Sequence, residues 1–292
     1  MAKRSLILAG GGLKVAYQAG VLQVWLDEAG LTFDHADGAS GGVFNLAMYC
    51  QGMSGRQMAD NWRDFPVVGA LSLNWRQYLR LFWAESLLTY DNFRRVVLRR
   101  RWKLDWDKIR ASRRLGTFNA YDFTGHRHVV RTQDQMDEDF LVSCASLPCW
   151  FPPVTIGGAR YIDGVYMTDA NLLEAIARGA DELWIIWTVS QKGIWRGGTI
   201  NTYFQVIETA ANGNLKRDLA RVEASNAAIA RGGTGEFGRP IKVEMLTAEV
   251  PLRYLFNFDS RKFTAAVEQG VAEARAWCRV RGIPLAAGAG TP

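Results

Sequence analysis

This sequence predicts an α/β fold, three layers deep, with a mainly parallel central sheet packed between helices. Three observations carry that expectation. Short β-branched or aromatic runs alternate with longer segments whose apolar residues recur at three- and four-residue spacing, the pattern of strands lying side by side under helical layers. Two glycine-rich turns, Gly10-Gly11-Gly12 and Gly38-Ala39-Ser40-Gly41-Gly42, stand at strand ends, and ligands of such sheets sit beyond the carboxyl ends of the strands. Finally, 292 residues with 48% hydrophobic and 22% charged composition can bury one sizeable core.

The elements follow in order. Residues 5–9, Ser-Leu-Ile-Leu-Ala, form the first expected strand and run straight into the triple glycine. A helix is expected over 14–28, and another over 43–51 behind the second glycine turn. Residues 61–114 read as a helical segment covering the domain, with a helix over 91–101. Strands are expected at 117–123 and 128–132, a helix at 168–178, a strand at 182–189, a helix at 202–230, a strand at 240–246 and a helix at 261–281. A single catalytic domain over 1–284 is the reading, followed by a flexible tail, 285–292, of small residues and glycine.

Composition excludes several classes. The net charge of +6 suits an anionic surface but falls short of requiring nucleic acid, and no nucleic-acid-binding fold is evident. Cys50, Cys144, Cys149 and Cys278 show neither C-x-x-C nor zinc spacing and read as free thiols in a reducing compartment. No metal motif is present, so neither a metal nor an organic cofactor is expected. No signal peptide is visible, and no stretch reaches the ~18 apolar residues of a spanning helix. The expected location is cytoplasmic, with peripheral membrane contact at most.

The pentapeptide around Ser40 is a G-x-S-x-G elbow, which lifts a serine hydroxyl out on a tight strand-to-helix turn. The N–H groups of a glycine turn can hold the oxyanion that forms when such a serine attacks an ester. Acyl transfer is the reaction class that follows. Serine needs a base. The three histidines, His35, His126 and His128, include none near the C-terminus, where the serine–acid–histidine order of α/β-hydrolases would put it. His126 and His128 read as surface or loop residues. A desolvated carboxylate can serve instead. Asp163, in Tyr161-Ile162-Asp163-Gly164-Val165, is the best placed. Local spacing alone favours a plain turn there, since Asp-Gly is a common turn dipeptide.

Four blocks in order resemble the patatin-like phospholipases over roughly residues 5–190. Gly10-Gly11-Gly12-Leu13-Lys14 is similar to the family's glycine-rich oxyanion block, and Gly38–Gly42 to its nucleophile elbow. Ala145-Ser146-Leu147-Pro148-Cys149-Trp150-Phe151-Pro152-Pro153-Val154 resembles its proline-rich block, with the proline one position early. Asp163-Gly164 resembles its D-G block, with Asn171 as the asparagine that follows. The resemblance implies a Ser40–Asp163 dyad without histidine, and an acyl-enzyme on Ser40. It also implies an oxyanion held by Gly10, Gly11, Gly12 and Gly41, and a phospholipid or related acyl ester as substrate. Lys14 would then attract a lipid phosphate or be a solvated charge. Two departures stand out: Val15 replaces the glycine that usually ends the first block, which could tilt the oxyanion turn, and Val165 replaces a small residue, which could crowd the dyad.

Residues 61–114 hold Trp62, Trp75, Trp83, Trp102 and Trp106 with a run of arginines from Arg94 to Arg101. That mixture suits an anionic membrane interface. It equally suits a core stripe under a solvated face. Two other function classes remain. Gly10-x-Gly12 opening a helix, with Asp34 or Asp37 about 20 residues on, is part of a dinucleotide fingerprint. A membrane-binding module on an inactive hydrolase scaffold is the other.

Overall fold

The computed structural model describes residues 2–80 and 83–286. Its strands are β1 (Arg4–Leu8), β2 (His35–Ala39), β3 (Ser72–Leu73), β4 (Leu88–Thr89), β5 (Leu115–Asp122), β6 (Arg127–Thr132), β7 (Val154–Ile156), β8 (Ala159–Asp163), β9 (Glu182–Trp187) and β10 (Lys242–Thr247). Its α-helices are α1 (Ala16–Leu22), α2 (Gly42–Cys50), α3 (Gly55–Arg63), α4 (Val67–Ala70), α5 (Trp75–Tyr78), α6 (Trp106–Arg110), α7 (Glu138–Ser143), α8 (Leu172–Ala177), α9 (Thr199–Ala230) and α10 (Arg261–Val280). Eight strands make the central sheet in the order β10-β9-β1-β2-β5-β8-β7, with β6 also on β5, while β3 and β4 pair separately.

Pairing from β10 through β9, β1 and β2 to β5 is parallel. Side chains of successive strand residues point to opposite faces, and the core divides accordingly. Leu6 and Leu8 of β1, with Trp184 and Ile186 of β9, join the cluster built on α1, α2, α3 and α10. Ile7 of β1, with Leu183, Ile185 and Trp187 of β9, joins a second cluster on α8 and α9. Both faces of the sheet are therefore covered, which is the three-layer arrangement expected.

The far side of the sheet changes direction. β5 pairs parallel with β2 through Leu115–Asn119 and antiparallel with β8 through Ala120–Asp122. Its other edge is occupied by β6, so β2 and β8 share one edge and run toward each other. Ala39 is opposite Asn119 and Asp163 is opposite Ala120. The end of β2 and the end of β8 thus meet head to head on adjacent residues of β5.

The expected strands and helices are present with ends shifted by a few residues, and three differences have physical causes. β2 was implied only by the elbow that follows it and had no strand range of its own, because His-Ala-Asp-Gly-Ala lacks β-branched residues; it is entirely buried between β1 and β5. The helix expected over 14–28 changes ladder twice, from a 3-10 turn at Gly12–Val15 through α1 to a π-helical stretch at Gln23–Glu28. The helix expected from 168 starts at Leu172, where Asn171 accepts from the Glu174 N–H and sets the cap.

Residues 61–114 are broken into short pieces around a π-helical turn, Phe93–Arg101. α3 begins at a Ser54–Gln57 capping box. Trp62 and Trp102 are buried with ring centroids 5.0 Å apart, whereas Trp75 and Trp83 are exposed. Arg94 and Arg99 of the arginine run are paired with Glu138. The core-stripe reading therefore holds for Trp62 and Trp102, while Trp75 and Trp83 stand in solvent. Leu285 packs on the core and Ala286 donates to the Glu28 carbonyl at 2.7 Å; the rest of the expected tail, from 287, lies outside the described residues. Among the described residues no helix is long and apolar enough to cross a membrane.

Candidate active site

Ser40 follows the end of β2 with φ 46°, a left-handed conformation that a non-glycine residue adopts only under constraint. The two glycines behind it leave room for the first glycine block. A Cβ on Gly42 would overlap the Leu8 carbonyl oxygen, and one on Gly41 the Gly12 carbonyl oxygen. The elbow and the Gly10–Gly12 turn are thus packed backbone to backbone.

The Ser40 Oγ donates to Asp163 Oδ2 at 2.7 Å. Asp163 terminates β8 and is buried, its N–H donating to the Ser146 carbonyl at 3.0 Å and its Oδ1 accepting from the Val165 N–H at 2.9 Å. The dyad hydrogen bond is formed with Val165 in place, and the Val165 backbone helps to hold the carboxyl. None of the three histidines hydrogen-bonds to either residue. His126 lies in the turn between β5 and β6 beside Phe123, His128 is on β6, and His35 is buried at the start of β2.

Burial raises the Asp163 carboxyl from its usual 3.8 to about 7, opposed by the hydrogen bonds from Ser40 and Val165. Two consequences have opposite signs. A base must be ionised to accept a proton, so kcat/KM for an ester is expected to rise with pH through about 7; a flat profile between pH 5 and 8 would contradict that role. For stability, a carboxyl whose folded pKa exceeds its unfolded one favours folding fully below the unfolded value and loses that contribution as pH climbs through the folded one. Ionisation of Asp163 therefore costs stability.

The glycine turn supplies donors selectively. The Gly10 N–H is committed to the Asp169 carbonyl at 3.0 Å, and the Leu13 N–H to the Tyr254 carbonyl at 2.8 Å. The N–H groups of Gly11, Gly12 and Gly41 carry no hydrogen bond to the described residues. Of the four expected oxyanion donors, Gly10 is the one whose N–H is already hydrogen-bonded. Lys14 is buried with its Nζ 4.1 Å from the Tyr254 ring centroid. Burial lowers its pKa, against the nearby charges of Glu208 and Glu249. Gly12 and Leu13 line the pocket described below, whereas Lys14 is not among its lining residues. Val15 is buried in the core, its carbonyl accepting from Asn45 Nδ2 at 2.9 Å.

Ser40, Gly12 and Gly41 open into an apolar pocket walled by Phe44, Phe65, Val67, Leu88, Phe93 and Phe151. Much of that wall comes from the covering segment. Ala145 and Leu147 of the proline-rich block complete it, with the Ala145 carbonyl accepting from the Tyr90 hydroxyl at 2.5 Å.

Sequence reasoning missed a buried polar chain beneath the elbow. Ser5 Oγ meets His35 Nδ1 at 2.7 Å, His35 Nε2 meets Thr117 Oγ1 at 2.8 Å, and Thr117 donates to Asp37 Oδ2 at 2.6 Å. Asn119 Nδ2 reaches both Asp37 oxygens at 2.9 Å and the Gly38 carbonyl at 2.8 Å, while its Oδ1 accepts from Asn171 at 2.8 Å. Asn119 thereby ties the elbow strand to the cap of α8. Burial raises Asp37 to about 7 and lowers His35 to about 4. Replacing Asn119 by alanine strands several buried groups and is expected to cost about 2–3 kcal/mol, read from the urea midpoint. Asp169 is a second unanticipated residue: both its carboxyl oxygens are buried without a partner among the described residues, and burial followed by the Asp163 charge raises its pKa well above normal. A Cβ on Gly10 would overlap its Oδ1 and come within 2.8 Å of the Ser40 Cβ.

Residues 6–176 match the family model described as "Patatin-like phospholipase". Two curated proteins called Lysophospholipase NTE1, from Candida glabrata and Yarrowia lipolytica, are each 25% identical over 187 residues. The match takes in 62% of this chain and 10% and 12% of those proteins respectively, so the chain spans about a tenth of their length. Among solved structures, VipD from Legionella pneumophila aligns over 96% of this chain and 67% of its own, with 12% identity and a TM-score of 0.48.

Proposed function

Because this chain belongs to the patatin-like phospholipase family, we propose that it is a lipid acyl hydrolase working through a Ser40–Asp163 dyad. The observation that carries this reading is the 2.7 Å hydrogen bond to a buried carboxyl from the Oγ of Ser40, a residue that lines an apolar pocket. Ionised Asp163 takes the hydroxyl proton as Ser40 Oγ attacks the ester carbonyl carbon. The N–H groups of Gly11, Gly12 and Gly41 stabilise the oxyanion of the tetrahedral intermediate. Collapse expels the alcohol, which leaves with the proton from Asp163, and the acyl group stays on Ser40. Water then gives its proton to Asp163 as it attacks the acyl carbonyl, and Asp163 passes that proton to Ser40 Oγ as the second tetrahedral intermediate collapses, releasing the fatty acid and restoring serine and carboxylate. The pocket wall fits an acyl chain, because aromatic and aliphatic surface offers a hydrocarbon tail burial with no polar cost. A phospholipid or lysophospholipid is the substrate class proposed.

The dinucleotide alternative has little support here. The Leu13 N–H is occupied by Tyr254, Asp37 is buried within the polar chain, and Asp34 accepts from the Arg4 N–H. The direct test is fluorophosphonate labelling followed by turnover of a phospholipid ester. Labelling confined to Ser40, together with fatty-acid release, supports the proposal; an unlabelled, unreactive protein would favour the inactive-scaffold reading.

A further inference from the structure

The two segments that wall the pocket turn a second, apolar and basic side to solvent. From the covering segment, Trp75, Leu79 and Trp83 are 68%, 92% and 83% exposed. Across the mouth, Leu255 and Asn257 line the pocket, and the adjacent Phe258 is 70% exposed, as is Trp195. Scattered exposed apolar residues need no explanation, but a group of large ones around one opening does.

Contacts connect these segments: Trp75 packs edge-on against Tyr78 at 5.2 Å, and the Asn74 N–H and the Tyr78 hydroxyl donate to the Leu87 carbonyl at 3.0 and 2.9 Å. Leu87 and Leu88 donate to the carbonyls of Cys149 and Trp150. Trp150 packs edge-on against Phe256 at 5.2 Å, and Phe256 stacks on Phe258 at 6.4 Å. Trp150 also stacks on Phe204 of α9 at 5.8 Å. Next to Phe204, Gln205 holds the Arg196 backbone by two hydrogen bonds of 2.7 Å, placing Trp195 beside the same helix.

Charge decides the occupant. Arg76, Arg80, Lys192 and Arg196 are exposed and have no ion-pair partner among the described residues. The rim's carboxylates are engaged: Glu85 with Arg160 at 3.8 Å, Glu249 with the Ser190 hydroxyl at 2.9 Å, and Asp259 with Arg261 at 3.0 Å. Indole rings at headgroup depth, with free guanidinium groups beside them, match the boundary of an anionic bilayer. We propose that this rim docks on an anionic phospholipid surface, so that the pocket opens directly onto the bilayer. The proposal builds on the acyl-hydrolase reading, since it makes the docked surface the source of substrate.

The test uses the full chain with phosphatidylcholine vesicles, either alone or carrying roughly a third phosphatidylglycerol. Co-sedimentation with the anionic vesicles is expected, weakened at ~0.5 M salt. A Trp75→Ala, Leu79→Ser, Trp83→Ala variant should lose at least about tenfold in vesicle affinity, while its turnover of a water-soluble short-chain ester stays near wild type. If that variant does not fold, Arg76→Glu with Arg80→Glu should give a similar loss on anionic vesicles alone. Undiminished binding by the altered protein would overturn the proposal, as would a wild type that ignores vesicles and self-associates instead. Vesicle binding without short-chain turnover would leave the docking surface standing and remove the hydrolase reading; turnover without vesicle binding would do the reverse.

Discussion

Alanine at position 40 is expected to lower kcat for ester hydrolysis by ~10⁴-fold or more and to abolish fluorophosphonate labelling. In the proposed mechanism the Ser40 Oγ is the atom that carries the acyl group, and alanine has none in its place. Residual turnover would come from the pocket and the oxyanion donors alone. Position 40 keeps its left-handed φ in either protein, so alanine adds no backbone strain beyond that already borne by serine. Its effect on folding is smaller and indirect. Asp163 Oδ2 loses the donor that Ser40 supplies at 2.7 Å, which is expected to destabilise the protein by about 1–2 kcal/mol, chiefly at pH values where the carboxyl is ionised. The urea midpoint measured at pH 6 and pH 8 separates this from the catalytic loss. Full activity in the alanine protein would remove Ser40 from the mechanism.

Asparagine at position 163 is expected to lower kcat by ~10³–10⁴-fold with the fold intact, since an amide keeps the shape of the carboxyl but cannot accept the serine proton. The pH dependence near 7 should vanish with it, because the group that titrates has been removed. Substituting His126 and His128 together by alanine is the control. Neither contacts Ser40 or Asp163, and turnover should stay near wild type. An inactive histidine double mutant beside an active asparagine protein would sink the dyad.

Much of the site was legible because its parts are local. The glycine turn and the serine elbow each lie within five consecutive residues, and glycine near an apolar run has few structural meanings. Asp163 was legible only through the order of blocks, for nothing in Tyr161-Ile162-Asp163-Gly164-Val165 distinguishes a base from a turn. What could not be read is what depends on pairing across the sheet. β2 is built from small and polar residues, and its strand character comes from neighbours on both edges together with the Asn119 and Thr117 side chains that satisfy Asp37. Gly10 is indistinguishable from its neighbours in sequence, yet its N–H is occupied by the Asp169 carbonyl. Asp169 left no signal at all, being an aspartate six residues beyond another in a loop. The tryptophans of the covering segment share one composition, yet Trp62 and Trp102 face the core while Trp75 and Trp83 face solvent. Composition is blind to that division because the segment changes direction at every short turn.

The head-to-head meeting of β2 and β8 has a consequence for how the two proposed catalytic groups are held. Ser40 follows a strand that runs parallel to β5 and Asp163 ends one that runs antiparallel to it, so each comes to the site from the opposite end of the sheet. Their separation is set by one shared neighbour, β5, whose residues Asn119 and Ala120 face the two strand ends.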